Sequence, residues 1–174
     1  MRLPHHTSAF RRTARALALA LVATVVLSGC FGFGPRSGDK DASNVEPRTS
    51  ATVVAELQNV PGVLGAFVST GPVGLPSQME LTIGLDLEAD YPADMATLLD
   101  YTLAMAWSAN REQPTTTAAV GFRAGDAAVD LAPVATELGW PGKEGPTLDL
   151  SMDEMAGRYG PWPGPVPVRP AGLS

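Results

Sequence analysis

The sequence predicts an α+β fold: an antiparallel sheet of about four strands with helices packed on one face. Three observations carry that expectation. Residues 79–88 alternate strictly, with Met79, Leu81, Ile83, Leu85 and Leu87 set against Glu80, Thr82, Gly84, Asp86 and Glu88. Period-two alternation belongs to a strand with one face in the core and one in water, and such half-buried strands favour antiparallel sheets over doubly wound parallel ones. Residues 93–109 switch to a three-to-four spacing, with Met95, Leu98, Leu99, Leu103 and Ala106 on one side, which predicts an amphipathic helix of about 25 Å. The elements on either side repeat one order, so the chain reads as two successive helix–strand–strand units, the arrangement that places helices on one face of a sheet.

The chain begins with an address. Residues 1–15 hold Arg2, Arg11, Arg12 and Arg15 and no acid, residues 16–27 form an apolar run, and Leu27-Ser28-Gly29-Cys30 follows. A positive flank, a short apolar core and small residues before a cleavage point are the parts of a secretory signal. The run is too short to span about 30 Å of hydrocarbon. Leu27-Ser28-Gly29-Cys30 resembles the lipobox of bacterial lipoproteins. The resemblance implies cleavage before Cys30, a diacylglycerol thioether on the Cys30 sulfur and acylation of the new amine. Residues 1–29 are then a signal peptide. Arg11-Arg12 lacks the apolar residues that twin-arginine export expects just after the pair, so the general export route is favoured.

Cleavage sharpens what composition excludes. Eight basic residues remain against all 18 acidic ones, a net charge of −10, where the uncleaved chain carries −6. Both histidines, His5 and His6, leave with the signal, and the single cysteine becomes a thioether. Disulfides within the chain, thiol nucleophiles, histidine bases and Cys/His zinc sites are therefore excluded from the expected mature chain. Nucleic acid is excluded as a partner by the charge, as is electrostatic adsorption to an anionic membrane. The membrane is expected as a partner through lipid alone, each buried methylene contributing about 0.8 kcal/mol.

Residues 30–50 read as a lipidated flexible tether, rich in Gly, Ser, Pro and mixed charge with no apolar period. Residues 51–140 read as the α+β domain. Thr52 to Asn59 is a short helix with Val53, Val54 and Leu57 on one face, ended by Pro61-Gly62. Val63 to Ser69 is a strand with Val63 and Phe67 on one side and Leu64, Ala66 and Val68 on the other, and Thr70 to Ser77 is a loop with two Gly and two Pro. After the alternating strand, Asp90 is the N-cap candidate and Pro92 an early-turn proline for the main helix. Thr115 to Arg123 is a strand with Ala118, Val120 and Phe122 inward. Ala124-Gly125-Asp126 is a tight turn, and Ala127 to Leu131 returns with Val129 and Leu131 inward. Ala132 to Leu138 makes one or two helical turns, stopped at Gly139. The run Val60-Pro61-Gly62-Val63 between helix and strand resembles the first half of small ferredoxin-like ion-binding modules. The cysteine pair those modules use for metal is absent, so the resemblance implies topology and no metal.

Residues 141–174 read as a Pro/Gly-rich tail with a short helix. Leu148, Leu150 and Met152 are placed to add an edge strand or cover the sheet, Ser151 to Glu154 matches a capping box, and residues 160–170 are too proline-rich for a helix or central strand.

No catalytic, cofactor or metal residue is assigned. Asp86, Glu88 and Asp90 fail the calcium-loop pattern, because Tyr91 and Thr97 stand where a glycine and a carboxylate are required. Glu80, Asp86, Asp100, Glu112, Asp126 and Asp130 lie in polar phase or at turns, as solubility requires, and nothing pairs two of them in a cleft for glycoside chemistry. Met95, Met105, Met152 and Met155 read as core filling rather than a copper site. Trp107 and Trp140 read as core or core rim. Tyr159 and Trp162 carry two readings, a partner contact on a stiff proline-rich segment or a clasp folded back on the sheet, and the clasp is favoured. The bias toward Ala, Gly, Pro and Val, with Arg over Lys, resembles lipoproteins of high-GC Gram-positive bacteria. The expected role is a lipid-anchored, non-enzymatic binding or scaffolding module of the cell envelope, on the extracytoplasmic face of the cell membrane. Capture of a small ligand or ion is the alternative.

Overall fold

The computed structural model describes residues 48–109 and 112–174, so the signal, Cys30 and most of the tether lie outside the described residues. The order is α1 (Ser50–Gln58), β1 (Val63–Val73), β2 (Leu75–Leu87), α2 (Met95–Trp107), β3 (Thr117–Ala124), β4 (Ala127–Ala128), α3 (Ala132–Glu137), β5 (Thr147–Ser151), α4 (Met152–Tyr159) and a final 3-10 turn, Ala171–Leu173. The class is α+β, a five-stranded, mostly antiparallel sheet with helices.

One pairing departs from the antiparallel expectation. β2 and β3 run parallel, in register from Leu81 opposite Ala118 to Leu87 opposite Ala124. The reason is α2. A helical crossover between neighbouring strands returns the chain to the end where the first strand began, so the next strand runs the same way. β1 pairs β2 antiparallel, and β4 and β5 both pair β3 antiparallel. β5 lies in the segment set apart by sequence as a tail, and it extends the sheet beyond β3.

The alternating run behaves as its pattern demands. Leu81, Ile83, Leu85 and Leu87 are buried, and they meet Ala118, Val120 and Phe122 of β3 and Leu148 and Leu150 of β5 in one core. Met79 stays half-exposed at the end of that run. Period two fails in β1. A bulge between Val63 and Gly65 adds one residue opposite Leu87 and Asp86. The bulge flips the phase. Val63 joins Val68 in the core, while Leu64 is 66% exposed and Phe67 55% exposed. The segment Thr70–Ser77, expected as a loop, is a hairpin arm that turns at Gly74, whose φ of 72° suits glycine. β4 is only two residues long, and buried Leu131 is the N-cap of α3 rather than a strand residue.

Helix starts follow local chemistry. Thr49 caps α1 through a hydrogen bond from Thr52 N. Asp94, not Asp90, caps α2, its Oδ2 accepting from Thr97 N at 2.7 Å. Asp94 stands three residues before a Thr that also donates its hydroxyl, which Asp90 does not. The capping box of α4 forms as its sequence indicates, with Ser151 and Glu154 exchanging hydrogen bonds.

α2 is buried nearly all round: Leu98, Leu99, Tyr101, Thr102, Leu103, Met105, Ala106 and Trp107 are all inside. A surface helix has one apolar stripe. α2 has a second cover because residues 160–173 fold back as a strap. Trp107 Nε1 donates to Gly160 O at 2.9 Å, and Gly164 N donates to Trp107 O at 3.1 Å. Arg169 donates to Glu56 O and Asn59 O, satisfying carbonyls at the end of α1, and Leu173 is buried. At the other end of the described chain, Arg48 donates to Ser108 Oγ at 2.7 Å and pairs with Glu56.

Two stability outcomes follow from this packing. A Cβ on Gly164 lies 2.6 Å from Trp107 Cδ1, so Gly164→Ala is expected to destabilise by about 1–3 kcal/mol in urea denaturation. A variant as stable as the parent would mean that the strap is not seated on Trp107. Thr102 Oγ1 is buried without a hydrogen-bond partner. Thr102→Val keeps the shape and removes that hydroxyl, so its unfolding midpoint is expected at or above the parent's.

Candidate functional site

Two surfaces stand out, one on each side of the molecule. The first is the sheet face away from the core. There the strand register places Phe67, Gly84, Gly121 and Thr147 in one row, and Gly65, Asp86 and Arg123 in the next. None of these is buried. A Cβ on Gly84 would stand 3.8 Å from Phe67 Cβ, so the ring rises beside a bare glycine floor. A shallow pocket of about 250 Å³ lies here, with Phe67, Asp86 and Arg123 around Gly65, Gly84 and Gly121.

β1 borders this face as an edge strand, since among the described residues β2 is its one partner in the sheet. Met79 O accepts from Thr115 N and Thr116 N, and Leu87 O accepts from Gly125 N. The odd-numbered residues of β2 thus turn their backbone toward β3 and the even ones toward β1. By register, Gly65, Phe67, Ser69 and Gly71 pair with β2, while Ala66, Val68 and Thr70 turn their backbone away from it. Edge strands are normally guarded by charge, proline or a bulge. β1 has its bulge at Leu64 and its proline at Pro72, and no charged residue anywhere.

The second surface is a groove of about 340 Å³ between α2, α3 and the strap. Asp94, Asp100, Tyr101, Glu137, Pro167 and Val168 line it. The Thr97 hydroxyl and backbone N–H hold the Asp94 carboxyl below its ordinary pKa. Asp100 accepts from Arg158 Nε at 2.6 Å and from Tyr159 OH at 2.8 Å. Burial, then the Asp100 carboxylate, keep the Tyr159 hydroxyl protonated well above its ordinary range. Arg158 also lies 5.1 Å from the Trp140 ring centre and donates to Leu138 O. This network ties α4 to α2 and α3.

The residues singled out in the sequence disperse between these surfaces. Tyr159 sits in the Asp100 network, and Trp162 is half-buried, packed against the core. Cys30 lies outside the described residues. Asp86, Glu88 and Asp90 are exposed at the end of β2 and just after it. Glu80 accepts from Thr82 and Thr117 on the open face. Asp130 receives Ala132 N at the start of α3, and Asp126 sits in the turn before β4. Glu112 is exposed. Met105 and Met155 are buried, with Met95 and Met152 packed against the same core. Among the described residues, no three His, Cys, Asp or Glu side chains come together to hold a metal ion.

The sequence points to an exposed sheet face or the proline-rich tail as a partner surface, but it specifies neither the glycine floor beside Phe67 nor the groove. The glycines at 84 and 121 were visible, but only the β2–β3 register makes them neighbours. The groove needs the strap, which joins residues some 60 positions apart in sequence. Comparison with protein-family models, with curated proteins and with solved structures yields no match.

Acid should loosen the helix caps. Burial works against the charged form of Glu154, but hydrogen bonds from Ser151 N and Lys143 outweigh it and leave its pKa lowered. Asp94 is lowered as well. A carboxyl depressed in the folded state stabilises it above the unfolded value, about 4, and loses that contribution as pH falls through the folded value. Urea midpoints are expected to hold from pH 7 to 5 and to drop below about pH 4. Glu154→Gln, which keeps a capping-box residue, is expected to show a shallower drop, and identical acid profiles would remove Glu154 from this account.

Proposed function

We propose that this chain is a lipid-anchored, non-enzymatic binding module of the bacterial cell envelope, and that it docks a protein partner on the open sheet face and the β1 edge. The observation that carries the docking reading is where the apolar surface lies. Six large apolar side chains are exposed among the described residues, and Leu64, Phe67, Val73 and Leu75 of these belong to the β1–β2 hairpin. Single exposed apolar residues need no explanation, whereas a concentration on one element marks an interaction surface. Phe67 beside the glycine floor is an aromatic anchor of the kind that dominates binding energy. An uncharged edge suits strand addition, in which backbone hydrogen bonds give affinity and neighbouring side chains give selectivity.

Anchoring through Cys30 rests on Leu27-Ser28-Gly29-Cys30 and the basic and apolar segments before it. No described helix is long and apolar enough to cross a membrane. The tether fits the same reading. Residues 31–47 would reach about 55 Å if extended and about 23 Å as a coil, enough to hold the sheet clear of the lipid headgroups.

The test is photocrosslinking in intact cells from a benzophenone amino acid at position 67, with the same probe at Asp153 on α4 as a control. One dominant protein adduct from position 67, absent from position 153 and lost in the Cys30→Ala form, is expected. Equal labelling from both positions, or none from position 67, would overturn the docking surface. A Cys30→Ala protein that stays in the membrane fraction after signal cleavage would overturn the lipid anchor.

A further inference from the structure

We propose that the partner of the open sheet face is a second copy of this chain, packed face to face across a two-fold axis that runs along the strands between β2 and β3. This pairing rests on the docking reading of that face and names its partner.

A two-fold interface needs a patch that complements itself. The open face carries both halves. Phe67 is 55% exposed on β1, and its row continues through Gly84 and Gly121 to Thr147. A large exposed side chain thus stands beside two positions that have none. A Cβ on Gly84 would meet nothing closer than 3.8 Å, and one on Gly121 nothing closer than 3.6 Å. The floor is therefore open to a second molecule.

Charge is complementary in the same way. Asp86 and Arg123 are exposed and lie opposite each other in the β2–β3 register. Neither is in an ion pair among the described residues. A Cβ on Gly65 would stand 3.1 Å from Asp86 Oδ2, which puts that carboxylate over β1. One acid and one base, both unspent within the chain, remain for another copy. They also cancel, so the middle of the patch is neutral in a chain of net charge −6. Two like-charged copies meet there with least repulsion.

Charge also selects the axis. Rotation about a line between β2 and β3 exchanges those strands. Asp86 then faces the second copy's Arg123, and Arg123 its Asp86, which makes two reciprocal ion pairs. Gly84 faces Gly121, so the two backbones can approach closely, and Phe67 faces Thr147. Glu80 and Asp149, the remaining acids of these strands, face the hydroxyl residues Thr117 and Ser69. An axis along β2 itself would set Asp86 against Asp86 and Glu80 against Glu80, and opposed like charges cost affinity. The four rows of the face cover about 26 Å by 19 Å, on the order of 500 Å² per copy. That makes about 1,000 Å² in total, the lower limit for a specific interface.

The test expresses two full-length copies with different epitope tags in the same cells. One carries a benzophenone amino acid at position 67, and adducts are probed for both tags after irradiation. An adduct holding both tags is expected. Asp86→Arg in both copies, or Arg123→Asp in both, sets like charges face to face and is expected to cut that adduct about tenfold. Asp86→Arg in one copy with Arg123→Asp in the other restores two opposite pairs, and recovery to within about twofold of the parent is expected. An ion pair confined to one chain cannot be repaired in this way. Both positions are exposed, so the variants should fold, which urea midpoints check. An undiminished adduct in either like-charged combination, or no recovery in the mixed one, would overturn the proposal. An adduct from position 67 with a different protein and never with the second tag would overturn the second copy and leave the docking surface standing. No adduct from position 67 would overturn both.

Discussion

The burial of α2 on two sides is the constraint on which the rest of this structure depends. One side rests in the core shared with the sheet, and the other is covered by the strap and α4. Trp107 concentrates that constraint. Its ring is 2% exposed, its indole N–H goes to Gly160, and its backbone carbonyl takes the Gly164 N–H. A large aromatic side chain at a helix end buries much area and needs a partner for its N–H. The strap supplies both cover and partner, which explains why so proline-rich a segment is held in place.

The same helix determines the character of the sheet. As a crossover between β2 and β3 it makes those strands parallel, and the resulting register aligns Gly84 with Gly121. The two glycines leave a floor on which Phe67 stands exposed. Helices cover the opposite face, so the open face is the side where backbone and small residues meet solvent. The cover on α2 and the bareness of the sheet's other face are two consequences of one layer order. They yield two surfaces of different chemistry, one with an uncharged edge and a glycine floor beside Asp86 and Arg123, the other an acidic concave groove.

Much of the fold was legible in the chain because it rests on local rules. The alternation over Leu81–Leu87, the capping box of α4, the C-terminal end of α1 and the stop of α3 near Gly139 follow from period, cap chemistry and glycine geometry. Two of the misreadings share one cause, which is that a partner strand overruled the local pattern. A bulge against β2 reversed the phase of β1 and put Leu64 outside. Strand pairing carried the hairpin through Pro72 to Gly74 where composition suggested a loop. The proximity of Thr97 moved the α2 cap from Asp90 to Asp94. Tyr159 and Trp162 were recognisable as a pair with a role, but the partner of Tyr159 is Asp100, 59 residues away.

By itself the sequence determined the class of fold, most of the succession of helix and strand, and the core side chains of β2, α2 and β3. Each depends on residue type and on neighbours within one or two turns. It also established that a chain cleaved at Cys30 has no histidine and a single cysteine, because that is a matter of counting. Only the tertiary structure decided which way β3 runs, which glycines become neighbours, and that residues 141–174 complete the domain instead of trailing from it. Those outcomes depend on contacts between segments far apart in the chain. Such contacts are selected by the joint burial of α2, the sheet and the strap, and no single segment carries that information.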